Sequence, residues 1–298
     1  SNESPYLIIS KKDMDMKKNI TIISLSLLLV YLLFTNNTIV STSILNSCHL
    51  FLTKVFISLF PMYIISKILI NYNFPYYLFK LTKSHYLYLF IMSILSGTPN
   101  NAVIIKDLLD RKVIDSTTAN KYIMCNFFIN PLFLYTMLKN FLDLKTTILI
   151  ISISYSSNII IYHFFKSKQK SPLFKAKELS MSELLVKEVS NATHIFLNVL
   201  GMIIIFNLIS LLIIPKFRAF TGLIEVTNGL SFLIFSSLST YLKAFLSLIF
   251  INFGGLCILM QVKTIINNSD IKLANYLYGR FYATFISTFF FLIISLII

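Results

Sequence analysis

The sequence predicts an all-α, polytopic helical membrane protein with about six to eight spans and two interrupted or re-entrant helical hairpins in a weak internal repeat. Three observations lead there. Of 298 residues, 56% are hydrophobic and only 13% charged, with a mean hydropathy of +0.77; a soluble domain carries about a quarter charged residues. Several apolar runs approach the roughly 20 residues that a bilayer-crossing helix needs, and they are continuous, which disfavours a β-barrel with its alternating strands. Finally, the stretch "LSGTPNNA" (95–102) sets a glycine, a proline and two adjacent amides in the middle of such a run.

The elements follow in chain order. Residues 1–15 are polar and read as a tail or an appended remnant, whereas the sequence from Met16 has a basic start followed by an apolar stretch. No small-residue cleavage pattern follows it, so a retained first helix (20–34) is expected rather than a removed leader. A second apolar segment, 43–70, contains Lys54 and Lys67 and is expected to bend or break at Pro61, which lacks an N–H to donate. After a polar connector comes the run 86–110, then spans at 119–138 and 146–165. These make a first half, 16–165. The longest hydrophilic stretch, 166–190, is a basic loop with a short amphipathic helix in "ELLVKEV"; excess lysine places it in the cytoplasm, and counting crossings places the amino terminus there too. The second half, 191–298, has apolar segments at 193–214, 222–242, 244–266 and 275–298, with a break near 250–258.

Length identifies the run 86–110 as unusual. Gly97-Thr98-Pro99-Asn100-Asn101 divides it into arms of about ten residues, and each arm reaches about 15 Å, half of the hydrocarbon core. Charge flanks both ends, at Lys83 and from Lys106 to Lys112. A hairpin entering and leaving on one face fits better than a straight span. Its tip would hold Ser96, Gly97, Thr98, Pro99, Asn100 and Asn101 near mid-membrane, where a helix start offers free N–H groups.

A related pattern recurs at Gly254 and Gly255: a glycine break, an apolar arm with a lysine (Lys106; Lys263), a polar turn, and an Ala-Asn step (Ala119-Asn120; Ala274-Asn275). Interrupted segments in corresponding halves point to a transporter binding site. Other polar residues gather nearby. Asn126 and Asn130 are one helical turn apart and are expected to share a face, Gln261 follows the second break by two turns, and Asn228 follows Glu225. Glu225 is the only acid between Glu188 and Asp270; in an embedded segment it is a proton or cation site, and at the surface it would instead pair with Lys216 or Arg218. Arg280 would snorkel to the interface or pair with Glu225.

Other functional classes find little support. The net charge of +14 is scattered in loops between apolar runs, as in membrane proteins, so no nucleic-acid partner is expected. Cys48, Cys125 and Cys257 are far apart, giving neither a disulfide framework nor metal-ligand spacing. His49, His85, His163 and His194 are isolated, and HExxH, GxSxG and phosphate-loop motifs are absent, so the chain is not expected to be an enzyme or to hold a metal or cofactor.

The motifs "LFPMYIISKIL", "LSGTPNNAVIIKDL", "ANKYIMCNFFINPLF", "GLIEVTNGL" and "FINFGGLCILMQV…YLYGR" resemble, in order, the YlbJ-type sporulation integral membrane proteins of the nucleoside-recognition, or Gate, domain group. The resemblance covers the chain from about residue 16 onward. It implies a transporter-like multi-pass protein of a bacterial cytoplasmic membrane, linked to spore cortex formation, and it points to Ser96, Gly97, Pro99, Asn130, Pro131, Glu225, Gly229, Gly254, Gly255 and Gln261. Thr98 stands where the family usually has an aromatic, and Asn101-Ala102-Val103 where it has Gly-Ala-Lys. The expected function is ion- or proton-coupled transport of a small polar solute or a lipid-linked precursor, with membrane lipids as partners, sodium or protons as coupling ions and homo-oligomers left open. A non-transporting scaffold, docking through the basic loop, is the alternative.

Overall fold

The computed structural model describes residues 19–21, 23–24, 26–28, 30–31, 33–165, 179–213 and 218–297. The tail 1–15 and residues 166–178 of the basic loop lie outside the described residues, as does Lys216. The chain divides into two units, Ser1–Asn46 and Ser47–Ile298. The first holds apolar helical residues from Asn19 onward and the start of α1 (Asn37–Leu50); the second holds the rest. Among the described residues all regular structure is helical, and five helices are long and apolar enough to cross a membrane: Asn37–Asn71, Leu144–Phe164, Met181–Ser210, Thr240–Ile266 and Leu273–Leu296.

A six-residue π-helical turn, Phe51–Phe56, joins α1 to α2 (Ile57–Asn71). Pro61 lies inside α2, which continues through it. The expected interruption is therefore absent at the proline, and the irregular backbone sits one turn earlier, in the wider π ring. The chain continues through α3 (Phe74–Thr82), α4 (His85–Ser96), α5 (Asn100–Asp110), α6 (Ser116–Cys125), α7 (Pro131–Leu138) and α8 (Leu144–Phe164). After the undescribed segment come α9 (Met181–Ile213), a 3₁₀ turn at Arg218–Phe220, α10 (Thr221–Ile224), α11 (Val226–Phe235), α12 (Thr240–Phe253), α13 (Gly255–Ile266) and α14 (Leu273–Ile297). Sequence sets these starts locally. Ser84, Asp115, Asn130, Asp143, Glu225 and Ser239 each accept a first-turn N–H with their side chains, the oxygen-bearing caps a helix start favours. At the exposed Asp115, hydrogen bonds from Thr118 and then Thr117 hold the carboxyl below the usual range.

Side-chain contacts fix the direction of each element. At one end of the bundle, called here the basic end, Asn71 bonds the backbone of Leu179, Lys106 donates to the carbonyls of Ile265 and Asn267 at 3.0 and 3.2 Å, and Asn120 bonds Asn275, Lys272 and Asp270. Tyr88 in α4 lies within electrostatic reach of Asp107 in α5 and of Arg111 just past its end, and Asp107 pairs with Lys67. The start of α4 and the end of α5 therefore lie together, and Gly97–Pro99 is the tip of a hairpin entered from the basic end. Next, α6 runs inward from Asn120 to Met124, which meets Arg280 two turns into α14. Residues 126–130 lie outside any helix, and α7 then carries the chain onward to the far end, where α8 begins its return.

The second half repeats this plan from the opposite end. Gly222 and Gly229 touch so closely that a Cβ on Gly229 would lie 2.3 Å from the Gly222 Cα. This packs α10 back against α11 as a second hairpin with Glu225 at its tip. Ring contacts of Tyr241 with Phe291 and of Phe253 with Phe281 run α12 antiparallel to α14 from the far end to the middle, and α13 continues to the basic end. Two units of hairpin, broken span and unbroken span thus run in opposite directions: α4–α5, α6–α7 and α8, then α10–α11, α12–α13 and α14. Such inverted repeats are built to place two broken helices face to face.

This corrects the repeat register drawn from the glycines. Gly254 belongs to a broken span and corresponds to the 126–130 break, while the counterpart of Gly97–Pro99 is Glu225. Segment 222–242, expected as one span, is broken at Glu225 and again at 236–239. The helix expected at "ELLVKEV" is the first two turns of the 33-residue α9, held inward because Glu188 is buried and accepts the Tyr63 hydroxyl at 3.1 Å.

Candidate functional site

All four interruptions meet at one place. A cavity of about 60 Å³ is lined by Thr98 and Pro99 from the first hairpin tip, Ile129 and Asn130 from the first broken span, Glu225, Val226 and Thr227 from the second tip, and Ile258 and Gln261 from the arm after Gly254. Ser58, Leu59 and Phe133 close one side and Val199 and Ile203 another. The volume is roughly that of two water molecules in the liquid. Helices α5, α7, α11 and α13 all begin here, so four N-terminal dipole ends surround a wall that is otherwise mostly apolar.

Among the described residues Glu225 supplies the only carboxylate on that wall, and it is 3% exposed. Its backbone is extended, at φ −145° and ψ 120°, which turns the side chain back over the start of α11. Oε2 accepts the Asn228 N–H at 2.7 Å and the Thr227 hydroxyl. Oε1 accepts no hydrogen bond among the described residues. Burial thus sides with the embedded reading of this residue, away from the surface pairing with Arg218. A carboxylate half-bonded by its own helix start and half-open to a cavity can take up a proton or a small cation without rearrangement. Gln261, also buried, makes only a weak 3.3 Å contact from Nε2 to the Cys257 sulfur, so its amide remains free to act in the cavity.

Glycine conformation makes two of the breaks. Gly97 lies at φ +69°, and a Cβ there would come within 2.9 Å of the Asn130 nitrogen. Gly254 and Gly255 lie at φ +80° and +70°, turning the chain between α12 and α13. Side chains with a Cβ rarely adopt these angles. Proline and an amide make the third break: Asn130 precedes Pro131, which disfavours helix at Asn130, and Asn130 Oδ1 accepts from Leu132 and Phe133 at 2.9 and 3.2 Å.

The asparagines were expected to present neutral hydrogen bonds to a ligand, and their placement differs. Asn126 and Asn130 share no helical face, because Asn126 closes α6 and Asn130 opens α7 across a non-helical step. Asn130 Nδ2 donates to Leu95 at 2.8 Å. Asn101 Nδ2 donates to the Asn126 carbonyl, and Asn126 Nδ2 to Ser93. Asn100 Nδ2 reaches the carbonyls of Leu59 and Ser96 at 3.4 and 3.5 Å. The Ser96 hydroxyl returns to Met92 in its own helix, and Asn228 donates to Asn207 on α9. These side chains lock the tips in place. Thr98, Pro99, Asn130, Glu225 and Gln261 are the sequence-predicted residues that line the cavity; Thr227 and Ser58 line it as well and were missed, although Thr227, two residues after the lone acid, was a readable signal.

Arg280 neither snorkels nor pairs with Glu225. It is 1% exposed, and its guanidinium donates to the carbonyls of Asn252 (3.2 Å) and Met124 (3.1 Å) and to Asn158 Oδ1 (2.9 Å). It also stacks 3.9 Å above the Phe127 ring. Met124 and Asn252 sit in the last turns of α6 and α12, so Arg280 faces the negative dipole ends of both broken spans. Where helix starts surround Glu225, helix ends surround Arg280. No group of His, Cys, Asp or Glu among the described residues is arranged to hold a metal ion. Compared with known protein families, curated proteins and solved structures, the chain matches none.

Proposed function

We propose that the protein is a transporter of a bacterial cytoplasmic membrane that moves a small polar solute or a lipid-linked precursor by alternating access, coupled to protons or sodium through Glu225. One observation carries this reading: two oppositely directed hairpins and two broken spans bring their interruptions to a single cavity with a buried carboxylate on its wall. Such a site opens to one face or the other when one repeat rocks against its partner, without breaking the packing inside either. Lys80, Lys83, Lys112, Lys121, Lys263 and Lys272 lie at the basic end. By the positive-inside bias that end faces the cytoplasm. The resemblance to sporulation membrane proteins fits this reading and suggests a role in spore cortex formation.

The test uses proteoliposomes given a mixture of small polar metabolites under an imposed proton or sodium gradient, with the contents identified by mass spectrometry. Wild type is expected to accumulate at least one solute, and Glu225→Gln, which keeps the cap on Asn228 but cannot ionise, at least tenfold less. Accumulation by neither, or equally by both, contradicts the reading. A scaffold role is favoured by a different observation, the small cavity and the internal engagement of Asn100, Asn101, Asn126 and Asn130. It predicts that Glu225→Gln leaves every cellular function of the chain unchanged.

A further inference from the structure

At the basic end lies a second, much larger opening, separate from the central cavity. It encloses about 760 Å³ between the first turns of α6 and α14 and is lined by Ser116, Thr117, Asn120, Lys121, Met124, Phe165, Ser269, Asp270, Ile271, Lys272 and Asn275. Its walls are held rigidly together. Asn120 Oδ1 accepts from the Lys272 N–H at 2.7 Å and from Asn275 Nδ2 at 2.8 Å, while Asn120 Nδ2 donates to the Asp270 carbonyl at 2.9 Å.

The charge in it is not neutralised internally. Lys121 on one wall and Lys272 on the other have no ion-pair or hydrogen-bond partner for their ammonium groups among the described residues, where the one ion pair joins Lys67 to Asp107. Asp270 is the only acid in the lining among the described residues. Two cations therefore face one carboxylate across a preformed opening. Beneath the floor the sign is the same. Met124, which lines the opening, accepts with its carbonyl from Arg280, a buried guanidinium that among the described residues meets no carboxylate and has no partner for its Nε–H.

We propose that this vestibule binds a phosphate-bearing anion, with Lys121 and Lys272 as its two charged contacts and the Ser116 hydroxyl as a neutral donor. A phosphate monoester carries close to two negative charges at neutral pH, matching two lysines on opposite walls, and ammonium groups bind phosphate as point charges without demanding a fixed approach. The exposed Phe165 at the rim gives the opening an apolar edge. The same chemistry is offered by a water-soluble phosphate ester and by an anionic lipid headgroup at the membrane surface. The inference refines the transport reading by naming the class of solute drawn to the basic end, and the site itself stands without transport.

The experiment uses the full chain in nanodiscs of phosphatidylcholine alone and in nanodiscs containing one third phosphatidylglycerol. Binding of radiolabelled inorganic phosphate and of glycerol 3-phosphate is measured in the first, and retained phosphatidylglycerol is counted by native mass spectrometry in the second. Wild type is expected to bind the soluble probes if the source is a free phosphate ester, or to retain phosphatidylglycerol if it is a headgroup. In either arm Lys121→Gln with Lys272→Gln is expected to weaken binding at least tenfold, and Lys243→Gln at the far end to leave it unchanged. Among the described residues neither lysine of the pair makes a side-chain bond, so the double variant is expected to keep its fold, and its unfolding midpoint checks this. No binding in either arm, or binding indifferent to the two lysines, overturns the proposal. If the vestibule binds but Glu225→Gln transports normally, the transport reading fails while the site remains.

Discussion

Replacing Arg280 with leucine is expected to destabilise the protein by about 3–5 kcal/mol, because each buried acceptor it leaves without a donor costs about 1–3 kcal/mol. The side chain is fully inside and reaches three oxygens on three different elements: Met124 in α6, Asn158 in α8 and Asn252 in α12. Two of these are carbonyls of helix ends that stop in mid-bundle, where no further turn supplies an N–H. Leucine fills part of the volume and leaves all three acceptors without the donor that Arg280 supplies. Lysine keeps the charge but cannot reach three acceptors at once, so Arg280→Lys is expected to fall between the two. Chemical or thermal unfolding in detergent, followed by helical signal, measures the series. A leucine variant within about 1 kcal/mol of wild type would show that the helix ends need no such cap.

The residue beside it should show the second large effect. A Cβ built on Gly279 would sit 2.0 Å from the Met124 carbonyl oxygen and 2.7 Å from two other Met124 backbone atoms. Because the obstruction is backbone rather than a flexible side chain, α6 and α14 must move apart for alanine to fit. Gly279→Ala is therefore expected to cost about 1–3 kcal/mol as overpacking, even though alanine is the better helix former. Gly201, in α9, is the control, since a Cβ there meets nothing within 4 Å. Gly201→Ala is expected to be neutral or to stabilise by up to about 1 kcal/mol. The two large effects share an atom. Once Gly279→Ala has displaced Met124, Arg280 has already lost that acceptor, so combining both changes should cost less than the sum of the singles. Strict additivity would place the two contacts in independent parts of the fold.

Much of this architecture was legible in the chain, for physical reasons that differ from element to element. Long apolar stretches announce long helices because lipid offers the backbone no other partner. The hairpin at Gly97–Pro99 was readable because neither ten-residue arm alone can cross a 30 Å core, and a helix breaker sits between them. The kind of break was not readable, since a helix can be stopped by positive-φ glycines, as at Gly254, by Asn-Pro, as at Asn130, or by a capping acid, as at Glu225. Matching glycine with glycine therefore paired a hairpin tip with a broken span. The i, i+4 spacing of Asn126 and Asn130 signals one face only if the helix persists, and the proline after Asn130 is what ends it. The roles of Asn100, Asn101 and Asn126 depend on carbonyls contributed by other elements, and sequence spacing carries no trace of those. Arg280 looked interfacial because it follows a polar turn by only two helical turns; its acceptors become visible only when α6 and α12 are seen to end beside it.

The central claim, that the hairpin tips and broken spans enclose a site reachable from water, is tested most directly by Thr98→Cys. This position lines the cavity, and the natural thiols Cys48, Cys125 and Cys257 would first be replaced by alanine. A charged, membrane-impermeant thiol reagent is added from each side of sealed vesicles in turn. Labelling of Cys at position 98 from at least one side, with a rate altered by Glu225→Gln, is the result expected of a gated central site. Labelling from neither side, in a protein that folds and accepts a permeant reagent at position 98, would mean that the breaks enclose a dry structural joint.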